Sequence, residues 1–558
     1  MLRTRGLIAA FALICAVVGL RGEVAADQKK LIAVGWDMPN AQRLRENFEL
    51  MDQQPFRGSS LRFTGRNGTP FLDFAHSREV WEQEAIDQII EDLAAARPQR
   101  LTDCFLDIKA TPGDVDWFDD EGWAIIVEHW RTAARVAKEG GIAGLLFDPE
   151  SYRHPQFDYQ EQSEAAEHSF EEYEEMARQR GREVMAAVVE EYPDITIFSL
   201  FMLSIFNQQA RNPSLSLAGH RYGLYPAFID GWLDAVTEDV TLVDGCERAY
   251  LFNSEVEYLH AANLIRNTCQ QLISPENRYA YRAQVQVSFG VYLDAYVNPP
   301  DSSWYIDPGD QTPLQRLEEN LVSALNAADE YVWLYGEQAS WWPTPHPRAG
   351  EQRWSELLPG IEEVLWAVTD PVEHAARVLA EAAEGVQSVL TNGDFSAETA
   401  EPPEGPQAAD WERENAPAAW SFWQSAAAGS EGTPGWDREV GHEAPGAATM
   451  RDVRQGCLIQ SVAVAPGERC AVAAWYRLQG EGTPSVRVRW QTADGSWHAQ
   501  HKDRFLSTHG SEGEWQRMVG VVTVPEGAGR LVLLLWVGGQ QSEQDVVWWD
   551  DAVVFKLD

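Results

Sequence analysis

The chain has 558 residues, more than one hydrophobic core usually serves, so two or three domains are expected. Hydrophobic residues make up 44% and charged residues 23%, which is typical of globular proteins and excludes disordered and collagen-like chains. The net charge of -42 repels phosphate backbones and anionic lipid, so neither nucleic acid nor a membrane surface is expected as a partner. A neutral ligand fits this charge best, and an anionic ligand would need a local basic pocket.

The N-terminus predicts export. Arg3 and Arg5 precede an apolar run from Leu7 to Leu20, and Val24-Ala25-Ala26 follows as a small-residue cleavage site. We interpret residues 1–26 as the signal peptide of a secreted or periplasmic protein. The alternative is a membrane anchor, although the run is shorter than the roughly 18 apolar residues that a span needs. No other segment predicts a span, so no membrane insertion is expected after cleavage.

Alternation between short apolar runs and helical periodicity extends from Leu31 to about Leu379. Strands followed by helices indicate a parallel sheet covered by helices, and eight runs favour a (β/α)8 barrel, or TIM barrel, over residues 31–385. A doubly wound open sheet is the main rival, but the chain has neither a GxGxxG nor a GxxxxGK[ST] nucleotide turn. The eight runs span residues 31–36, 58–63, 101–108, 141–147, 195–203, 240–245, 283–293 and 330–336.

The composition changes after the barrel. Residues 401–435 are rich in Pro, Ala, Gly and Glu, and from Cys457 onward the chain alternates between apolar and polar residues. Turn signals at Pro466-Gly467 and Asp494-Gly495 separate these alternating runs, which predicts an antiparallel β-sandwich over residues 390–558.

The cysteines do not predict a disulfide framework. Cleavage of the signal peptide would leave an odd, sparse set without a CxxC pair, which favours neither disulfides nor zinc. Buried free thiols are expected at Cys104, Cys246, Cys269, Cys457 and Cys470.

The C-terminal motifs resemble a known family. Asn392-Gly393-Asp394-Phe395, the hairpin QSVAVAPGERCAVAAWYRLQG at 460–480, GEWQRMVGVVTVPEGAGRLVLLLWV at 513–537 and WWDDAVV at 548–554 are similar to the ordered motifs of a CenC-type carbohydrate-binding module. The resemblance implies a jelly-roll sandwich of the galactose-binding-like kind that accompanies secreted glycoside hydrolases.

Two further expectations follow from this resemblance. Some such modules hold a structural calcium, which would lie near Asp394 and Asp551, although both acids can also cap turns. Tryptophans can form a stacking platform for glycan, although at least half of them should be core, because sandwiches bury alternate residues. The candidates are Trp420, Trp423, Trp436, Trp490 and Trp497.

The run GLLFDPESY ends in two acids. The N-terminal portion resembles (β/α)8 glycoside hydrolases through its architecture and strand-end acids, and such barrels place active sites at the C-terminal ends of their strands. Asp148 and Glu150 follow the fourth strand, around Pro149. A carboxyl beside apolar walls has a raised pKa, as a general acid requires, and glycoside hydrolysis needs two carboxyls. The alternative is a capping Asp and a salt-bridged Glu.

Glu337 is the second candidate. It follows Gly336 at the end of the last strand, within YVWLYGEQASWW, and apolar sugar faces stack on aromatic rings. Alternatively, these rings fill the core and Glu337 binds a helix N-terminus. The rings are Trp333, Tyr335, Trp341 and Trp342.

Further acids end other strands. Glu247 follows the sixth strand and is either the second carboxyl or only the partner of Arg248. Asp294 follows the seventh, where common retaining barrels place their nucleophile, whereas Glu337 follows the eighth. Candidates for sugar contacts, with structural roles as alternatives, are Trp36, Asp37, Asp107 and Tyr152.

The leading hypothesis is an exported glycoside hydrolase that acts on an oligo- or polysaccharide and needs no cofactor for catalysis. In it, Glu150 is the general acid/base, and Glu337, Glu247 or Asp294 is the nucleophile or second base. A non-catalytic surface glycan-binding protein with a degenerate barrel is the alternative, and a structural envelope protein is the third hypothesis.

Overall fold

The computed structural model describes residues 29–150, 153–342, 352–396, 417–499 and 503–557. The chain divides into two compact units, Met1–Thr369 and Asp370–Asp558. The predicted signal peptide and Tyr152 lie outside the described residues. Among the described residues, no helix combines the length and the apolar character that crossing a bilayer requires.

The first unit contains a parallel barrel. Its strands pair in the order β7-β6-β5-β4-β3-β2-β1-β9-β8. Only Ser288 separates β7 from β8, so these two segments occupy one strand position of the barrel. The nine segments therefore form eight strand positions in a nearly closed ring, which confirms the predicted (β/α)8 barrel. The strands are β1 (Lys30–Gly35), β2 (Gly58–Arg62), β3 (Phe105–Lys109), β4 (Gly144–Asp148), β5 (Thr196–Ser199), β6 (Thr241–Asp244), β7 (Val285–Val287), β8 (Phe289–Tyr292) and β9 (Tyr331–Gly336).

Helices follow most strands, as their periodicity predicts, and two begin with capping boxes at Ser169 and Thr312. After the last barrel strand the chain forms three separate helices rather than one, because Gly360 and Pro371 interrupt the helical stretch. The helices are α1 (Ala41–Met51), α2 (Gln83–Ala95), α3 (Asp120–Gly140), α4 (Phe170–Glu191), α5 (Asn207–Arg211), α6 (Tyr225–Ala235), α7 (Glu255–Asn263), α8 (Arg278–Gln284), α9 (Pro313–Ala327), α10 (Trp354–Leu357), α11 (Ile361–Thr369) and α12 (Pro371–Gly385).

Aromatic side chains fill the barrel interior. Near the N-terminal ends of the strands, the Tyr331 ring lies 5.6 Å from Phe105 and 5.8 Å from Phe198, measured between ring centroids. One layer higher, Trp333 is buried and donates its indole N–H to the Gly245 carbonyl at 2.7 Å. Trp333 thereby forms a rigid floor beneath the C-terminal end of the barrel.

Gly290 makes room for that floor. A Cβ at this position would lie 2.7 Å from Trp333 Cζ2 and 2.7 Å from Tyr250 Cε1. We expect Gly290→Ala to destabilise the chain by about 1–3 kcal/mol, because neither ring can move freely in a packed interior. Urea unfolding measures this effect. Gly385→Ala is the matched control, since a Cβ there has no atom within 4 Å, and equal stability of the two variants would contradict the prediction.

The second unit is a β-sandwich, as predicted. A five-stranded sheet has the order β10-β13-β19-β15-β16, a six-stranded sheet has the order β11-β12-β20-β14-β18-β17, and their inner faces share one core. The strands are β10 (Ser421–Gln424), β11 (Thr433–Asp437), β12 (Ala447–Arg451), β13 (Gln455–Ala463), β14 (Arg469–Gln479), β15 (Thr483–Gln491), β16 (Arg504–Phe505), β17 (Ser507–Glu512), β18 (Trp515–Thr523), β19 (Arg530–Gly538) and β20 (Val546–Leu557).

Helix α12 belongs to this second unit. Its residues Ala375, Leu379 and Ala382 pack on the outer face of the six-stranded sheet, against side chains that include Val519 and Phe555. The five cysteines expected as buried thiols are all buried and free, which confirms that prediction.

Candidate active site

Asp148 fixes the turn that carries Glu150. The Asp148 carboxylate accepts the Lys109 Nζ at 3.1 Å and the backbone N–H of Glu150 at 2.9 Å, and only 5% of the residue is exposed. The half-buried Glu150 side chain accepts a hydrogen bond from the Tyr222 hydroxyl at 3.0 Å. The end of β4 therefore presents one acid that is held by a lysine and a second that reaches a tyrosine.

Glu247 joins these two acids from the end of β6. It begins a short 3-10 turn, Glu247–Leu251, after Cys246, which has a left-handed backbone with φ of 43°. Burial, followed by the charges of Glu150 and Asp148, raises the pKa of Glu247 to about 8. The structure thus brings three of the predicted acids into one electrostatic group. The alternative in which Glu247 only pairs with Arg248 is not realised, because no ion pair joins them among the described residues.

Lys109 and Asp107 lie beneath this group on β3. Burial opposes the Lys109 charge, but Asp148 and Asp107 outweigh burial and raise the pKa of the ammonium group. Burial likewise raises the pKa of Asp107 to about 6, and among the described residues neither of its carboxyl oxygens has a hydrogen-bond partner. Asp107 is 1% exposed. Its predicted contact with a sugar hydroxyl stays a prediction.

An aromatic wall stands beside the acids. The Tyr250 ring lies 5.3 Å from Tyr292 and 5.7 Å from Tyr335, and Trp304 lies 5.6 Å from Tyr292. Trp304 is exposed, and so is Trp36, which lies beside the Tyr335 hydroxyl. We call Tyr250, Tyr292, Tyr335 and Trp304 the tyrosine wall.

Glu337 contacts the tyrosine wall rather than the acid group directly. Its carboxylate accepts the Tyr292 hydroxyl at 3.4 Å. The pKa of Tyr335 is raised by burial, by Glu337 and more weakly by Asp148. This ring therefore lies between Glu337 and the acids at the end of β4.

Asp294 positions the backbone at Glu337. Its buried carboxylate accepts the N–H groups of Glu337 and Gln338 at 2.9 and 3.0 Å. The strand count of the sequence holds: Asp294 follows the seventh strand position and Glu337 the eighth. Each oxygen of Asp294 thus accepts one backbone N–H, which supports a positioning role, and its role as the nucleophile stays a prediction.

Asp37 is engaged in the same way. Its carboxylate forms an ion pair with Arg43 at 2.8 Å and accepts bonds from Ser340 Oγ and the N–H groups of Trp341 and Trp342. These bonds tie the end of β1 to the segment after β9.

Three of the predicted stacking rings are core. Trp341 and Trp342 are 5% and 1% exposed and pack on Phe56, with ring centroids 4.9 and 5.9 Å away. Trp333 is buried as well. The structure therefore leaves no open face on these rings, and of the aromatics predicted near Glu337 only Tyr335 borders the site.

Sequence reasoning did not single out Tyr222, Lys109, Tyr292 or Trp304 as members of the site. Lys109 ends β3, so the strand-end rule that identified Glu150 also points to Lys109. Tyr222 lies in the long segment between β5 and α6, 72 residues from its partner Glu150, and carries no local signal.

The sandwich presents a second aromatic surface. The pairings Trp423 with Cys457 and Cys457 with Trp536 place both tryptophans on the outward side of the five-stranded sheet. Arg487 lies over the rings of Trp536 and Phe505, at 3.8 and 4.6 Å. We call Trp423, Trp536, Arg487 and Phe505 the outer aromatic face. Of the predicted platform, Trp420 and Trp490 are core, whereas Trp423 and Trp497 are exposed.

The structural calcium near Asp394 and Asp551 stays a prediction. The Asp551 carboxylate lies 2.8 Å from Nδ1 of His442, and the Asp394 carboxylate accepts the Ser396 N–H at 3.4 Å. Across the part of the chain that the structure describes, no three His, Cys, Asp or Glu side chains are grouped to hold a metal ion.

Comparisons with known proteins find no relative in sequence and only partial similarity to solved structures. No family model matches the chain, and no curated protein is similar to it in sequence. Among solved structures, the enzymatically active domain of bacteriophage CBA120 tailspike protein 4 is 12% identical with a TM-score of 0.21, and the match covers 25% of this chain and 19% of that one.

Two carbohydrate-related structures are similar to a comparable degree. TmCBM61, solved with β-1,4-galactotriose, is 14% identical with a TM-score of 0.21, over 31% of this chain and 99% of that one. The CBM22-1–GH10 part of Clostridium thermocellum xylanase 10B, solved with xylohexaose, is 12% identical with a TM-score of 0.19, over 25% and 26% of the two chains. Likenesses of this size define neither the family nor the activity of this chain.

Proposed function

We propose that the chain is an exported glycoside hydrolase that uses Glu247 as the general acid and Glu150 as the nucleophile or base. One observation carries this proposal: Glu150, Asp148 and Glu247 converge at the ends of two barrel strands, and one of them has a pKa of about 8. Glycosidic cleavage needs a carboxyl that donates a proton and a second carboxyl beside it, and a raised pKa suits the proton donor.

Glu247 suits the role of acid. With a pKa of about 8, it keeps its proton at neutral pH and can deliver it to the leaving oxygen. The sequence hypothesis gave this role to Glu150, but the field of Glu150 and Asp148 favours protonation of Glu247.

Glu150 suits the role of nucleophile or base. Its charge is one of the causes of the raised pKa of Glu247, and the Tyr222 hydroxyl holds one of its oxygens at 3.0 Å. Asp148, which is fixed by Lys109, orients the backbone of Glu150. These contacts hold the carboxylate in one direction before a substrate arrives.

The surroundings suit a sugar. The tyrosine wall and the exposed Trp36 offer aromatic faces beside the acids, and apolar sugar faces stack on such rings. The hydroxyls of Tyr222 and Tyr292 add hydrogen-bonding groups at the same rim. Cleavage by paired carboxyls requires no cofactor.

A panel of neutral and acidic polysaccharides tests the proposal. The full chain is incubated with each polymer, and new reducing ends are measured together with the masses of the products. We expect release from at least one polymer. Saturable binding without release from any polymer would overturn the enzymatic proposal and favour the glycan-binding protein with a degenerate barrel.

We further propose that the outer aromatic face binds glycan. Trp423 is 43% exposed and Phe505 is 62% exposed, although apolar side chains of this size are usually buried. The two rings lie on the outward side of one sheet, to either side of Trp536 and Arg487. A flat surface of this kind accommodates an extended chain of sugars.

Trp423→Ala tests the outer aromatic face. Loss of one stacking ring removes about 1 kcal/mol, so we expect about fivefold weaker binding of the polymer by affinity electrophoresis of the full chain. Tyr279→Ala is the control, because this exposed ring lies on α8 of the barrel unit. Equal affinities of both variants and the unchanged chain would contradict the proposed surface.

A further inference from the structure

A basic cavity flanks the candidate active site. Helices α5 and α7 and residues 246–252 line a cavity of about 160 Å³ that is open to solvent, roughly ten times the space that one water molecule needs. Arg211 and Arg248 line the cavity together with Asn207, Glu257 and His260. Cys246 and Arg248, the two neighbours of Glu247 in the chain, both line the cavity.

The two arginines have no partners. Within the described residues, neither guanidinium makes a hydrogen bond or an ion pair, although the chain carries a net charge of -42. By contrast, Arg178 contacts Asp230, Asp234 and Glu276. Both arginines are exposed to solvent, so an anion can reach them, and guanidinium groups match carboxylate and sulfate oxygens in geometry.

The other polar groups of the cavity suit a sugar. The Asn207 side-chain oxygen is buried and has no hydrogen-bond partner in the part of the chain that the structure describes, so it can accept a hydroxyl. One oxygen of Glu257, Oε2, accepts the Asn253 N–H at 3.0 Å and the Ser254 hydroxyl at 2.7 Å. The thiol of Cys246 is neutral, because burial raises its pKa. His260 adds a further ring donor at the rim.

We propose that this cavity binds the anionic substituent, a carboxylate or a sulfate, of an acidic glycan whose neighbouring sugar occupies the site of Glu150 and Glu247. The inference rests on the proposed function and narrows its substrate class. It also explains how a strongly acidic surface can accept an anionic ligand, since two unpaired arginines offset the general repulsion locally.

Binding of matched oligosaccharides to the full chain tests the inference. The ligands are an oligomer of a uronic acid, its methyl ester, a sulfated oligomer and a neutral oligomer, each measured by titration calorimetry. We expect the unchanged chain to prefer an acidic oligomer over the neutral one, and this preference to weaken as salt is raised. The uronate and the sulfated oligomer distinguish the two possible anions.

Arg211→Gln and Arg248→Gln should each weaken binding of the acidic oligomer about five- to tenfold and leave the neutral oligomer unaffected. Arg282→Gln is the matched control: it changes the net charge equally but lies on α8, ahead of β7 and at the other end of the barrel. Equal affinity of the Arg211 and Arg248 variants and the unchanged chain for acidic oligomers would overturn the inference. The unchanged chain alone can also overturn the inference. It does so if the chain binds the uronate no better than its methyl ester and the sulfated oligomer no better than the neutral one.

The outcomes separate this inference from the proposed function. Hydrolysis of neutral polymers with no arginine-dependent binding would leave the enzyme proposal intact and remove the anion site. Arginine-dependent binding of an acidic oligomer without any release of reducing ends would keep the anion site and remove the hydrolase.

Discussion

Glu150→Gln is expected to hydrolyse the glycan substrate about 10²–10⁴-fold more slowly than the unchanged chain, with little change in folding. Glutamine keeps the shape of the side chain and can still accept the Tyr222 hydroxyl, but it supplies neither a negative charge nor a base. Initial rates with the polymer identified in the panel measure this effect.

Two readouts make this result specific. The charge of Glu150 helps to raise the pKa of Glu247. The variant should therefore lose its residual activity at a lower pH than the unchanged chain, so the high-pH limb of its pH–rate profile moves to lower pH. Glu139→Gln is the control, because this exposed residue lies near the end of α3, ahead of β4 and at the other end of the barrel. Full activity of Glu150→Gln would remove Glu150 from the mechanism.

Glu247→Gln is expected to lose about 10²–10⁴-fold of the rate on natural glycans, because the leaving oxygen no longer receives a proton. With the unchanged chain, the rate should be sustained up to about pH 8 and decline above it, because a group with a raised pKa of about 8 acts as an acid only below that pH. This high-pH limb should be absent in the variant.

A substrate with an activated phenolate leaving group separates an acid from a nucleophile. Such a leaving group needs no proton, so Glu247→Gln should release the phenolate in the first, bond-breaking step, measured as kcat/KM or as a burst, at nearly the rate of the unchanged chain, whereas Glu150→Gln should remain slow. Glu238→Gln, at an exposed position ahead of β6, is the control. If Glu247→Gln is equally slow on both substrates, or retains its high-pH limb, the assignment of the acid is wrong.

The sequence predicts the barrel and the sandwich because their patterns are local. Apolar runs of strand length alternate with helical periodicity in the first unit, and polar and apolar residues alternate along the strands of the second. The same pattern predicts Asp148, Glu150 and Glu247 as strand-end residues, since parallel strands of a barrel end on one side.

Contacts between distant segments decide the roles that the sequence leaves open. Asp37 and Glu150 look alike as acids at strand ends, but Ser340, 303 residues away, engages Asp37, whereas Tyr222 reaches Glu150. Trp341 and Tyr335 both belong to one aromatic stretch, and only packing against Phe56 makes Trp341 core. The raised pKa of Glu247 likewise depends on acids from another strand.

The placement of α12 determines which stretch of polypeptide can be inherited as a self-sufficient module. A gene fragment that starts at Asn392 would encode sheets whose side chains at Ala471, Val519 and Phe555 lack their helical cover. Bare apolar surface of this kind promotes aggregation. Recombination that transfers the sandwich between proteins therefore has to include the fifteen residues of the helix. The breakpoint that keeps the sandwich intact lies near Asp370.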